Sequence, residues 1–368
     1  MANKADNSAA SVLILLLTDA ALSGDDMARK MSLADLEITQ EPGLNDQRIA
    51  ILKSPYHMET GYARIPEPNE REVRIRIKWV GICGSDLEAY RGTRAAEFVS
   101  IPARLGHEVA GFIDKVGEKV NGLRVGDLVT CRYVWGAYAQ YLVCDPFNVK
   151  KLPPDFPVKA VSLTEILPGV LHTAELAKVD ASQNVLIMGQ GVSGLIITQV
   201  LRLFSPRHLV VCDLHEKNLE LARCYGATDT YRIDPSLPEP YAQIKRDFPD
   251  GFEVVIPCLL EGDGMVDAID LCAMCGRIVM YGCIGVCNRP IDFFKVHRKR
   301  LEIYSTEPRR DIDMRRFFQE GIQLVLDGLV NTDEIITNEI PLSQIQEGFA
   351  MRDLPQDGTI HVVIDCER

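Results

Sequence analysis

The sequence predicts an α/β protein of two domains, one rich in β-strands and one built on a doubly wound parallel sheet. Its 368 residues amount to about two domains at roughly 150 residues each. Glycine-punctuated segments with alternating hydrophobicity fill much of the first half, and after about Leu176 short apolar strands alternate with helical stretches. A hydrophobic content of 46% and a charged content of 25% fit a globular chain and argue against a disordered or multi-span membrane one. The formal charge of -12 removes nucleic acid and anionic lipid as expected partners. Eleven cysteines, an odd number spread along the chain, suit packing or metal ligation in a reducing cytoplasm better than a disulfide scaffold.

Residues 1–44 read as an N-terminal extension. The apolar run Ala9 to Leu17 follows Lys4 and faintly resembles a secretory signal, but Asp19 comes quickly and the basic region is thin, so a cytoplasmic tail is the expectation. No stretch reaches the roughly 18 to 20 apolar residues of a spanning helix. From Glu72, the residues Val73, Ile75, Ile77 and Trp79 alternate with three basic residues, the period of a half-buried strand. Strand-like runs follow at Val109 to Val116 and Asp127 to Thr130. Six strands are then expected, at Asn184–Met188, His208–Cys212, Asp229–Ile233, Glu253–Pro257, Arg277–Tyr281 and Leu301–Ser305. Helices fit at Ser193 to Phe204, stopped by Pro206, and at Lys217 to Tyr225, stopped by Gly226. A further helix is expected from Arg315 to Leu329, and a last strand at Ile360 to Ile364.

Gly189-Gln190-Gly191-Val192-Ser193-Gly194 matches G-x-G-x-x-G between an apolar strand and an amphipathic helix, the context of a dinucleotide site. Gly189 permits the tight turn, Gly191 lets the backbone approach a pyrophosphate, and Gly194 lets helix and strand pack closely. Val192 begins the helix whose N-terminus faces the phosphates. Asp213 ends the next strand about 20 residues on, where a carboxylate accepts from ribose hydroxyls and repels a 2′-phosphate. The expected cofactor is therefore NAD.

Gly81-Ile82-Cys83-Gly84-Ser85-Asp86 and, later, Gly106-His107-Glu108-Val109-Ala110-Gly111 bring together a thiol, an imidazole and carboxylates, which suit zinc with one position left open. With Val116-Gly117, Gly126-Asp127, Ala137 to Tyr141 and the glycine fingerprint, these motifs resemble, in order, the zinc-dependent medium-chain dehydrogenase/reductase family, in its sorbitol and threonine (polyol) dehydrogenase branch. The resemblance runs from about residue 48 to the C-terminus.

That resemblance implies a GroES-like catalytic domain over 45–175, completed by 313–368, around a Rossmann domain over 176–312. It implies a metal set of Cys83, His107, Glu108 and Glu165, in which Glu108 ligates directly or exchanges with water and which of the two acids is the third ligand is open, with Asp86 as the carboxylate that fixes the ligating histidine and Ser85 as the hydroxyl that relays the substrate proton. It also implies reversible oxidation of a secondary alcohol (polyol, sugar, cyclitol or amino alcohol) to a ketone, by a homodimer or homotetramer. The chain departs from the pattern at several points. Ile166 replaces the proline after Glu165, and Glu88 stands where relatives extend the relay with histidine, so either Glu88 takes the proton or the relay differs. Thr359 follows Gly358 where relatives often carry lysine. The link from Cys131 to Gly136 is too short for the four-cysteine loop, so no structural zinc is expected. Cys272, Cys275, Cys283 and Cys287 are expected to pack rather than bind metal, and His172 to pack at the domain junction. Two rival readings are a metal-free quinone or enoyl reductase and a non-catalytic NAD-binding protein.

Overall fold

The computed structural model describes residues 37–96, 98–132, 134–259, 262–282, 287–306, 312–355 and 358–368. The apolar run Ala9 to Leu17 and Cys283 lie outside the described residues. The first elements are the hairpin strands β1 (Asp46–Ser54) and β2 (His57–Arg64), followed by β3 (Val73–Gly81), helix α1 (Gly84–Arg91), β4 (Glu108–Val116), β5 (Leu128–Cys131), β6 (Tyr141–Cys144) and β7 (Val149–Lys151). Helix α2 (Leu167–Ala177) leads into alternating strands and helices: β8 (Asn184–Met188), α3 (Val192–Arg202), β9 (His208–Asp213), α4 (Glu216–Cys224), β10 (Asp229–Arg232), α5 (Ala242–Asp247) and β11 (Phe252–Pro257). Then come α6 (Gly264–Leu271), β12 (Cys272–Met280), α7 (Phe293–Lys299), β13 (Glu302–Ser305), α8 (Ile312–Leu326), β14 (Ile336–Pro341), α9 (Ile345–Asp353) and β15 (His361–Asp365).

The alternating elements form a parallel six-stranded sheet in the order β10-β9-β8-β11-β12-β13. The order reverses direction at β8, so the crevice for a ligand opens at the carboxyl end of that strand. Val185 to Met188 on β8 are all fully buried, as a central parallel strand covered on both faces requires. The other large sheet runs β14-β15-β3-β4-β5-β7, with β6 also paired to β3. Its strand β3 buries Val73, Ile75 and Ile77 completely and turns Arg74 outward to Asp114 and Glu67. Strand β15 pairs antiparallel with β3, placing Val363 opposite Gly81. The C-terminal segment therefore completes the sheet that carries Cys83 and His107.

Three features differ from the sequence reading. The hairpin β1–β2 was not read, because Ala50, Ile51 and Leu52 are buried in succession with no alternation to mark them. Ala50 and Leu52 join the main β-domain core, while Ile49 and Ile51 pack with Ala63 and Ala139. Thr39 already pairs with Tyr62, so chain within the expected 1–44 extension docks on β2. Strand β12 begins at Cys272 rather than Arg277, with Cys275 at φ 59 and a register shift against β11. Among the described residues no helix is long and apolar enough to cross a membrane.

Candidate metal and cofactor site

Cys83 is the N-cap of α1, and Asp86, three residues on, folds back to it. The fully buried Asp86 carboxylate accepts from the Cys83 amide at 3.2 Å and from the Gly106 amide at 3.1 Å. The Tyr138 hydroxyl lies 2.9 Å from Asp86 Oδ2 and 3.1 Å from the Gly81 carbonyl. Gly106, at φ 90, gives the Tyr138 ring its room, since a Cβ there would fall 2.9 Å from the ring. One carboxylate thus pins the Cys83 turn to the loop that presents His107 and Glu108.

The ligand atoms of Cys83, His107 and Glu108 all lie within 4.8 Å of one another. His107 Nδ1 is 3.6 Å from Asp86 Oδ1, and its ring packs on Trp135 at a centroid distance of 4.1 Å. Glu108 Oε2 is 3.2 Å from His361 Nε2. A Cβ on Gly81 would fall 2.0 Å from that oxygen and 2.5 Å from that nitrogen, so only glycine leaves space for the pair. His361 escaped the sequence reading, although a histidine inside an otherwise apolar last strand was a visible signal.

The electrostatics fit a cation. Glu108 Oε2 faces His361 Nε2 at 3.2 Å and His107 Nδ1 faces Asp86 at 3.6 Å, and neither buried atom makes a close hydrogen bond, so the group is short of partners. Burial, reinforced by the negative charge of Glu108, pushes the Cys83 thiol up. Burial alone would lower His107, but Asp86 and Cys83 outweigh it and hold the imidazole well above its ordinary value. Burial would likewise raise the Glu108 carboxyl, which His361 and His107 bring below the usual range.

Glu165 is not among the residues whose ligand atoms lie within 4.8 Å of one another. It stands in a 3₁₀ turn before α2, where its carboxylate lies 3.0 Å from Arg132 Nη1. Ser85 is half-buried on the first turn of α1, and Glu88, one turn on, pairs with Arg94 at 3.2 Å. His172 bonds through Nδ1 to the Thr306 carbonyl at 3.1 Å and packs against Phe317.

The second half of the site lies at the end of β8. Gly189 has φ 93, where a side chain would meet Leu259 at 3.0 Å and the Cys258 carbonyl at 3.2 Å, whereas nothing lies within 4 Å of a Cβ on Gly191. Gly194 lets α3 approach the turn, since its Cβ would strike the Gly189 carbonyl at 2.0 Å. Asp213, the last residue of β9, accepts from the Gln190 amide at 2.6 Å, the His215 amide at 2.8 Å and Asn218 Nδ2 at 3.2 Å. The acid that would read the ribose also braces the glycine turn. Val192 is the first residue of α3, whose N-cap is Gly191, so the helix N-terminus opens on the glycine turn.

Comparison with known proteins bears on this geometry directly. Residues 69–154 match the alcohol dehydrogenase GroES-like domain, and residues 193–325 match the zinc-binding dehydrogenase family. L-threonine 3-dehydrogenase of Aeromonas salmonicida is 30% identical, with 77% of this chain and 89% of that protein covered. The chain belongs to the zinc-containing medium-chain alcohol dehydrogenase family. Another family relative, the L-threonine 3-dehydrogenase of Deinococcus deserti, is 27% identical over 83% of this chain and 94% of its own. Among solved structures, galactitol-1-phosphate dehydrogenase of Escherichia coli shares the fold at a TM-score of 0.73 and 21% identity, covering 86% of this chain and 99% of that one. Benzyl alcohol dehydrogenase of Acinetobacter calcoaceticus does so at 0.75 and 19%, covering 88% and 99%. The chain is thus a zinc-dependent NAD(P) alcohol dehydrogenase.

Proposed function

We propose that this dehydrogenase oxidises a secondary alcohol of the polyol, sugar, cyclitol or amino-alcohol class to a ketone, reversibly, with NAD. The observation that carries the reading is the convergence of thiol, imidazole and carboxylate within 4.8 Å, on the domain joined to the glycine-rich dinucleotide turn. Cys83, His107 and Glu108 would hold the zinc, three protein ligands being the number that leaves a position for an alcohol oxygen. Glu165, already paired with Arg132, is left out of that set. Bound zinc supplies Lewis acidity that eases loss of the alcohol proton near neutral pH, and NAD accepts the hydride.

The chain's own side chains do the rest. Asp86 sets the direction of His107 and anchors the Cys83 turn. Ser85 takes the hydroxyl proton, and Glu88, salt-bridged to Arg94, stands next on the same helix face in the place of a relay histidine. Asp213 selects NAD by accepting from the ribose hydroxyls and repelling a 2′-phosphate. The catalytic zinc is the only one in this reading, since Cys131 is buried in the β-domain core beside the short link to Gly136. The assembly is read as a homodimer or homotetramer formed through the sheet edge at β13. The thiols, none of them disulfide-bonded among the described residues, suit the cytoplasm.

The test is NADH formation across a panel of secondary alcohols, with and without a chelator. Turnover that the chelator abolishes supports the reading. Chelator-insensitive reduction of activated double bonds by NADPH would contradict it, as would NADH binding without turnover of any alcohol.

A further inference from the structure

Arg104 carries a charge that no acid among the described residues answers. It stands in the loop between α1 and β4, three residues before His107. Ala103 and Leu105, on either side of it, are buried in the β-domain core, so the extended chain turns Arg104 the opposite way. There its guanidinium lies against Gly136, whose carbonyl accepts from Nη2 at 2.6 Å. Among the described residues that carbonyl is its one hydrogen-bond partner, and Nε is buried without an acceptor. Burial draws the guanidinium down to about 10, and no carboxylate opposes that effect. A charge kept under such conditions is costly unless a group of opposite sign compensates it.

The surroundings say which group that is. The residue before Gly136 is Trp135, whose ring packs on the His107 imidazole at 4.1 Å and whose indole N–H is likewise buried with no acceptor. Arg94 lies over the same indole, its Cζ 5.8 Å from the ring centroid. Its Nη1 donates to Glu88 at 3.2 Å and reaches the Ser85 carbonyl at 3.5 Å, while its Nε and Nη2 make no hydrogen bond among the described residues. Donors therefore outnumber acceptors around Trp135. Arg94 already engages Glu88, and Asp86 already accepts from the Cys83 and Gly106 amides. His107 and Ser85 are the residues that meet the alcohol oxygen in the reading above, so these unmatched donors border the alcohol. We propose that the substrate is a secondary alcohol bearing a carboxylate or phosphate group, and that Arg104 pairs with that group beside the Trp135 N–H. This rests on the dehydrogenase reading and narrows it to anionic members of the substrate class. The oxygens of one carboxylate or phosphate take a guanidinium and a second donor together. A neutral alcohol would leave both unmatched, and sites built around such donors reject a substrate that lacks their partner.

The experiment measures kcat/KM per bound zinc for two matched pairs, sec-butanol with β-hydroxybutyrate and glycerol with α-glycerophosphate, in wild type, Arg104→Gln and Arg104→Lys. Wild type is expected to prefer the charged member of one pair by at least about tenfold, and which pair it is tells carboxylate from phosphate. In Arg104→Gln that preference should fall by about tenfold to a hundredfold, the range of one charge-assisted hydrogen bond. Arg104→Lys, which keeps the charge and guards against a folding defect, should recover part of it. A wild type that oxidises secondary alcohols but prefers the charged member of neither pair overturns the proposal alone. An equal loss for charged and neutral members in Arg104→Gln does the same, since it marks a structural role. A wild type that oxidises no secondary alcohol overturns the dehydrogenase reading, and the proposal falls with it.

Discussion

His361 Nε2 lies 3.2 Å from Glu108 Oε2 inside the fold, joining the last strand of the chain to the acid of the metal group. The contact exists because Gly81, opposite Val363 on the neighbouring strand, has no side chain. Gly81→Ala would place a methyl 2.0 Å from the Glu108 oxygen. Overpacking of this kind costs about 1–3 kcal/mol, and here it would also turn Glu108 away from Cys83 and His107. The expected result is a lower melting temperature together with loss of bound zinc. A variant that binds zinc normally would show that Glu108 is not held by this pair.

Asp86 holds the Cys83 amide, the Gly106 amide and the Tyr138 hydroxyl at once. Asp86→Asn keeps the shape but substitutes a donor for one acceptor and removes the charge beside His107. Zinc affinity is expected to fall by about 10- to 100-fold, as for other groups that orient a metal ligand. Competition with a metal-sensitive dye measures it.

Asp213 carries the cofactor preference in this account. Asp213→Asn removes the charge that repels a 2′-phosphate while keeping an acceptor for the Gln190 amide. Since a like-charge contact costs several kcal/mol, the discrimination between NAD and NADP is expected to narrow by at least about tenfold. The ratio of kcat/KM for the two cofactors reports it, and zinc content should not change.

Zinc binding should strengthen with pH. Burial and the charge of Glu108 raise the Cys83 thiol, and Asp86 and Cys83 raise His107 against the opposing effect of burial. Without metal, both groups therefore keep their protons to higher pH than free side chains do. Zinc requires the thiolate and the neutral imidazole, so its binding releases those protons. Affinity is expected to rise from about pH 6 to about pH 8, and proton release on adding zinc in a weakly buffered solution checks the sign.

Much of the fold could be read because its signals are local. Val73 to Trp79 alternate because one face of β3 is buried, and the glycines at 189, 191 and 194 mark a turn that other residues cannot make. Asp213 was legible for the same reason, as the end of the strand after that turn. What escaped depends on distant pairing. Ala50 to Leu52 show no period because they are covered from both sides, and His361 acquires meaning only when β15 folds back onto β3. The pairing of Glu165 with Arg132 belongs to the same class. Sequence order says nothing about which of two acids reaches the thiol.

Elemental analysis of the purified, folded protein counts the zinc held per chain in wild type, Cys83→Ala and Glu165→Ala measured together. One zinc per wild-type chain, none in Cys83→Ala and undiminished zinc in Glu165→Ala is the result expected of a centre built on Cys83, His107 and Glu108. A folded wild type that oxidises alcohols without zinc, or zinc that persists in Cys83→Ala, would contradict it.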